Sequence, residues 1–122
     1  HFMVQRKGKI IFVSSTAAKS VNPGASPSYG ASKAALLYLT RHYATEFAGY
    51  GINVNAICPG PTETEIINTW TAEHRHKVIE SLPMKRMGTA DEMAQAILFL
   101  ASSHSDYING ESIMINGGRY MD

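Results

Sequence analysis

Apolar and polar positions along the chain switch between two rhythms. Ile10-Ile11-Phe12-Val13 is an unbroken apolar run with β-branched content and no helical period. That is the pattern of a strand buried on both faces, and it predicts one over residues 9–15 that closes at Ser14-Ser15. Side chains alternate along a strand, so only one of these serines can share the face of Ile11 and Val13. Residues 16–27, with Asn22-Pro23-Gly24 and Pro27, predict a turn-rich loop. From about Ser28 to Phe47 the rhythm becomes helical, and Gly49-Tyr50-Gly51 closes the element. Its apolar residues, among them Ala31, Ala35, Leu37, Tyr38 and Ala44, spread around most of the circumference, which predicts burial on more than one side. Ile52 to Cys58 reads as a second strand, halted by Pro59-Gly60-Pro61.

Strand, loop, long helix and strand make a βαβ unit, the building block of parallel sheets. Open parallel sheets bind ligands beyond the carboxyl ends of their strands. Ser15, residues 59–64 and the start of the Ser28 helix all fall on that edge. Residues 64–87 are mixed, with a polar helix expected over about 71–82 and Ile66, Ile67, Trp70, Met84 and Met87 around it. This segment reads as a cover over the pocket edge. Thr89 and Glu92 form a capping box ahead of Met93, Ala96, Ile97 and Leu100, a secure amphipathic helix. Asn109-Gly110 marks a turn, Ser112 to Ile115 a short last strand, and Asn116-Gly117-Gly118 its end. At the other terminus, residues 1–8 read as the last turns of a helix capped by Gly8, so a piece of a longer chain is expected.

Composition narrows the function classes. With 122 residues, 44% apolar and 17% charged, the chain is sized for one soluble domain. A formal charge of +1 and a single short basic cluster, Arg6, Lys7 and Lys9, argue against nucleic acid. The lone Cys58 excludes an intramolecular disulfide framework and fits a reducing compartment, so cytoplasm is expected. No apolar run is long enough for a membrane span. Glu73, His74, His76 and Glu80 do not suggest a metal site, because helix neighbours two apart do not face each other; a solvated polar face is the better reading.

One pairing carries chemistry. Tyr29 and Lys33, four apart on the expected helix, stand on one face one turn from each other. An ammonium beside a phenol favours the phenolate, which would let Tyr29 give and take a proton.

Ile-Ile-Phe-Val-Ser-Ser, Tyr-Gly-Ala-Ser-Lys, Gly-Ile-Asn-Val-Asn-Ala-Ile-Cys-Pro-Gly with Thr64, and Ile-Asn-Gly-Glu-Ser-Ile-Met-Ile-Asn-Gly-Gly follow one another in an order and spacing that resembles the C-terminal half of the short-chain dehydrogenase/reductase family. The resemblance runs through nearly the whole chain. It implies an α/β fold, a Rossmann-like doubly wound parallel sheet of which residues 1–122 would be the C-terminal portion of a single domain. It implies hydride transfer between NAD or NADP and a small carbonyl or secondary alcohol substrate, as in 3-oxoacyl reductases, and a homodimer or homotetramer. In that frame Tyr29 would be the general acid in reduction and the general base in oxidation. Lys33 would hold the nicotinamide ribose. Ser15 would hydrogen-bond the reacting oxygen. Pro59, Gly60, Thr62 and Thr64 would face the nicotinamide carboxamide, and Asn116-Gly117-Gly118 would shape subunit contacts.

Two features depart from the family pattern. Ser15 precedes Tyr29 by fourteen positions, one more than the family spacing, so either the loop holds an extra residue or Thr16 supplies the hydroxyl. Ser15 is favoured, since it ends the strand and the loop around Pro23-Gly24 can absorb an insertion. The glycine-rich G-x-x-x-G-x-G turn that cradles the cofactor pyrophosphate is missing from these residues. The 122-residue chain alone is therefore expected to turn over little. A non-catalytic folding or dimerisation module built on the doubly buried helix is the alternative. A serine hydrolase with Lys33 as base lacks its G-x-S-x-G turn.

Overall fold

The structure, a computed structural model, describes residues 1–22 and 24–121. Pro23, in the expected Asn22-Pro23-Gly24 turn, lies outside the described residues. In chain order the elements are a one-turn helix α1 (Phe2–Gln5), strand β1 (Gly8–Val13), helix α2 (Pro27–Phe47) and strand β2 (Ile52–Pro59). A short strand β3 (Thr62–Glu63), helix α3 (Ala72–Ser81), short strand β4 (Gly88–Thr89), helix α4 (Ala90–Ala101) and strand β5 (Ser112–Ile115) follow.

β2 is the centre of a parallel sheet ordered β1-β2-β5. Its even positions, Ile52, Val54, Ala56 and Cys58, face α2, where they meet Leu37 and Ala44 together with Ile10 and Phe12 of β1. Its odd positions face the opposite way, and there Asn53 reaches the main chain at Asp106, just past α4. α2 and α4 thus cover opposite faces, and the sheet is doubly wound. Val54, Ile57 and Leu100 are fully buried, each worth about 1.5–3 kcal/mol against exposure.

Ser26 caps α2 by accepting the Tyr29 amide at 3.3 Å, and Pro27 occupies the first turn, where a missing N–H costs nothing. The capping box of α4 is present as the sequence predicts. Three expectations need correction. The turn of helix at residues 2–5 is closed by Arg6 in the left-handed region (φ 52°) and not by Gly8, which opens β1, where the Phe2 ring lies close against it: a Cβ there would stand 2.8 Å from the ring. β1 stops at Val13 and is half-buried rather than buried on both faces; among the described residues only β2 pairs with it. α2 fully buries Leu37, Thr40 and Ala44 on one face; Leu36, Leu39, Tyr43 and Phe47 are half-buried, and Ala31, Ala34, Ala35 and Tyr38 are exposed rather than buried on a second side.

Candidate active site at the carboxyl edge of the sheet

Parallel register brings the two strand ends together. Val13 pairs with Ile57, so Ser15 and Pro59 stand two residues beyond the same rung. The Ser14 amide still donates to Ile57 O at 2.9 Å, and Pro59, lacking an N–H, cannot answer with the next ladder bond. The strands part there, at the edge where open parallel sheets take ligands.

Ser14 and Ser15 take different tasks. Ser14 is buried and its Oγ donates to Lys33 O at 2.8 Å, fastening the first turns of α2 to the end of β1. Ser15, half-buried, caps the single 3-10 turn Thr16–Ala18, its Oγ accepting the Ala17 amide at 3.2 Å. That turn lies against α2, where a Cβ at Gly30 would come within 3.3 Å of Ala17 O. Lys33 Nζ donates to Val13 O at 3.0 Å and lies 5.7 Å from the centroid of the Tyr29 ring. Successive main-chain groups point to alternate sides of a parallel strand, and Ser14 N faces β2, so Val13 O faces the open side of β1. Tyr29 is 43% exposed, and no hydrogen bond engages its hydroxyl among the described residues.

The loop after β2 is built separately. Gly60 crosses Asn116 so closely that a Cβ would stand 2.8 Å from Asn116 Cα, and its amide donates to Ile115 O at 2.9 Å. Thr62 Oγ1 donates to Gly60 O at 3.0 Å. Thr64, exposed, leads a 3-10 segment, Glu65–Thr69, of which Ile67 is buried, without its hydroxyl capping it. Asn116-Gly117-Gly118 folds back on itself through Gly118 N to Asn116 Oδ1 at 2.9 Å, and Gly117 O accepts the Met84 amide at 3.3 Å. Ser15, Tyr29 and Lys33 are thus gathered around the end of β1, while Pro59, Gly60, Thr62 and Thr64 line the end of β2. No hydrogen bond links Tyr29 or Lys33 to Thr62 or Thr64 among the described residues.

β3 and β4 pair in parallel, and there charge is concentrated. Arg86 forks onto Glu92 at 2.9 and 2.6 Å. That hydrogen bonding, then the bond from the Thr89 amide, holds the Glu92 carboxyl down at about 2 and pushes the Arg86 guanidinium up. Arg75 meets Glu63 at 2.5 Å. At the amino end of the strands, Lys9 holds Asp106 at 2.7 Å, and this hydrogen bond lowers the Asp106 carboxyl. A 930 Å³ cavity lined by Lys7, Lys9, Asn53 and Asp106 lies at that end, opposite Tyr29. His74 and His76 stand exposed on α3, His74 against the Trp70 ring at 4.7 Å.

Pattern reading missed the asparagines. Asn55, buried in β2, donates to Ile108 O at 2.9 Å and accepts the Glu111 amide at 3.0 Å. Asn109 accepts the Val54 amide at 2.8 Å and donates to Ala44 O at 3.0 Å. The available signal was two amide side chains inside an apolar strand, since buried polar groups find partners.

A doubly wound parallel sheet with a Tyr–Lys helix start at its carboxyl edge defines a Rossmann-like α/β domain. The chain belongs to the short-chain dehydrogenase/reductase family, matching the family described as enoyl-(acyl carrier protein) reductase over residues 1–119. It is 44% identical over 114 residues to protein FixR of Bradyrhizobium diazoefficiens, covering 93% of this chain and 40% of that protein. It is 41% identical over 118 residues to the 3-oxoacyl-[acyl-carrier-protein] reductase FabG of Thermotoga maritima, covering 97% of this chain and 48% of that one. Among solved structures, a 3-oxoacyl-[acyl-carrier protein] reductase of Brucella melitensis superposes with a TM-score of 0.96 at 33% identity, over 99% of this chain and 45% of that one. A second from the same organism, with bound NAD, gives 0.91 at 33% identity over 99% and 44%. The chain spans less than half the length of these relatives. No helix among the described residues is long and apolar enough to cross a membrane.

Proposed function

We propose that these residues form the proton-transfer centre and the nicotinamide-facing loop of an NAD- or NADP-dependent oxidoreductase acting on a small carbonyl or secondary alcohol. A 3-oxoacyl thioester class is favoured by the FabG relatives. The observation that carries the reading is the Tyr29–Lys33 pair at the carboxyl edge, with the phenol exposed and the ammonium held beside its ring. Of the two candidate hydroxyls, Ser15 is half-buried and Thr16 is 8% exposed, which favours Ser15.

The residues fit a nicotinamide nucleotide. Lys33 commits one N–H to Val13 O and has two left for ribose hydroxyls. The exposed Thr64 hydroxyl and the main chain from Pro59 to Thr62 offer donors and acceptors for a carboxamide. When bound, the nicotinamide supplies or accepts the hydride. Tyr29 Oη hands its proton to the carbonyl oxygen in reduction and takes it back in oxidation. The Ser15 hydroxyl donates to that oxygen and stabilises the negative charge developing on it. Lys33 keeps a positive charge next to the phenol through both directions. One solved relative is described with NAD and another with NADP, so both cofactors stay in the proposal.

In the whole protein, Tyr29→Phe should lower turnover by about 10²–10⁴-fold while cofactor binding persists. Turnover equal to wild type would remove Tyr29 from the mechanism. The pyrophosphate turn is missing from these residues, so the 122-residue chain by itself is proposed to turn over little. Assembly into a homodimer or homotetramer and a cytoplasmic location complete the proposal. The exposed face of α2, with Tyr38 at 63%, favours a second reading, a non-catalytic assembly module. Tight binding of NADH or NADPH would contradict it.

A further inference from the structure

Residues 64–87, which the sequence reads as a cover, leave and rejoin the domain at one place. Thr62 pairs with Gly88 and Glu63 with Thr89, and the Gly88 amide donates to Pro61 O at 3.0 Å. The segment carries its own small core, Ile67, Leu82 and Met87 with Trp70 and Ile79. A parallel ladder of two residues per strand is marginal by itself.

Two arginines reinforce it, and both come from the cover. Arg75 in α3 bonds Glu63 of β3 at 2.5 Å. Arg86, next to β4, forks onto Glu92 in the first turn of α4 at 2.9 and 2.6 Å, and also donates to Met87 O at 3.1 Å. Both carboxylates belong to the frame. Glu63 sits between Thr62 and Thr64, and Glu92 also accepts the Thr89 amide at 2.8 Å, so one side chain caps α4 and secures β4. The two-bonded Arg86–Glu92 fork fixes direction as well as distance, and Arg75–Glu63 adds a single charged hydrogen bond.

We propose that Glu63–Arg75 and Glu92–Arg86 are positioning pairs that staple the two feet of the cover to the frame and thereby set where the Thr62–Thr64 loop stands at the open end of the sheet. The functional weight of this inference rests on the cofactor-facing reading of that loop; its content is mechanical. Glu63–Arg75 controls the entering foot and touches the loop directly. Glu92–Arg86 controls the leaving foot and acts through the Gly88 amide on Pro61.

Hydrogen exchange of backbone amides in the chain, without ligand, reads this directly. A partly exposed ion pair shifts a local opening equilibrium modestly, so Glu63→Gln and Arg75→Gln should each speed exchange at Gly88 by roughly two- to fivefold. The amide of Leu100, a fully buried residue near the carboxyl end of α4, should stay as in wild type. The exchanged pair, Glu63→Arg with Arg75→Glu, should bring Gly88 back toward the wild-type rate, a recovery that loss of packing alone would not produce. Unchanged Gly88 exchange in the single variants, or no recovery in the double, overturns the proposal. Should Arg75→Gln also speed Leu100, Arg75→Lys decides: faster Gly88 exchange with Leu100 unchanged supports the staple, and a wild-type rate overturns it. Titration with NADH and NADPH is a separate arm. Failure to bind either would strike the cofactor reading and leave the staples standing on the exchange result.

Discussion

Asn109 performs here the work of an additional stretch of backbone. Val54 has its N–H and C=O turned toward β5, but β5 pairs only from Ala56 onward, so both groups would be stranded. Asn109 Oδ1 takes the Val54 amide and the Gly110 amide takes Val54 O at 2.8 Å, so the sheet is prolonged by one side chain and one turn. Leaving a buried donor or acceptor unpaired costs about 1–3 kcal/mol. Asn109→Ala should therefore lose about 2 kcal/mol or more in urea unfolding. Asn109→Asp, which keeps the acceptor for Val54 and loses the donor to Ala44 O, should fall between. Equal stability of all three would show the clasp to be idle. Gly60 is a second single-residue constraint. Its backbone passes Asn116 where a Cβ has only 2.8 Å, so Gly60→Ala must push apart the β2 and β5 exits, at about 1–3 kcal/mol, readable as a lower melting temperature.

At the scale of elements, α4 depends on the Thr89–Glu92 box, and the same carboxylate holds Arg86. Hydrogen bonding from Arg86 keeps the Glu92 carboxyl at about 2, against 4.5 ordinarily. A carboxyl lowered in the folded state contributes stability that is fully present above its unfolded value and is lost as pH falls toward the folded one. The stability difference between wild type and Glu92→Gln should thus be constant from neutral pH down to about 5 and shrink between about 4.5 and 2. A difference already gone at pH 5 would contradict the low carboxyl. This box was legible in the sequence because Thr and Glu three apart ahead of an apolar stripe have one common use. β2, β5 and the Tyr29 helix were legible for the same reason, each being a local pattern with a local cause. The helix cap at Arg6 was not, because an arginine in the left-handed region carries no sequence signature of the kind a capping glycine does. Nor were the Arg75–Glu63 and Arg86–Glu92 pairs or the Asn55 and Asn109 bonds: they join residues that only the folded chain brings together. The site was half legible. Its residue types and order single out Ser15, Tyr29 and Lys33 as candidates, which the fold places around the end of β1, but the division of labour between Ser14 and Ser15 emerges only where β1 ends at Val13.

For the molecule as a whole, what matters is which parts of the proposed cofactor site these residues would hold. The carboxyl ends of β1 and β2 present Ser15, Tyr29, Lys33 and the 59–64 loop, groups suited to a nicotinamide and its ribose. A pyrophosphate needs a cradle of backbone N–H groups at a glycine-rich strand-to-helix turn, and the glycines here serve otherwise. Gly51, Gly110, Gly117 and Gly118 take left-handed turns, and Gly8, Gly30, Gly60 and Gly88 admit close neighbours. Binding by the 122-residue chain should therefore discriminate between the two ends of the dinucleotide. In competition against NADH fluorescence, nicotinamide mononucleotide should displace the ligand nearly as well as NAD does, and ADP should displace it poorly. Lys33→Met should weaken nicotinamide mononucleotide by roughly tenfold, since a charge-assisted hydrogen bond is worth about 1.5–3 kcal/mol where it is sheltered. It should leave the weak ADP competition where it was. Displacement by ADP as strong as by nicotinamide mononucleotide would mean that the adenine end is being read by these residues, and that the open side of β1, where Lys33 now meets Val13 O, is not the nicotinamide side of the site.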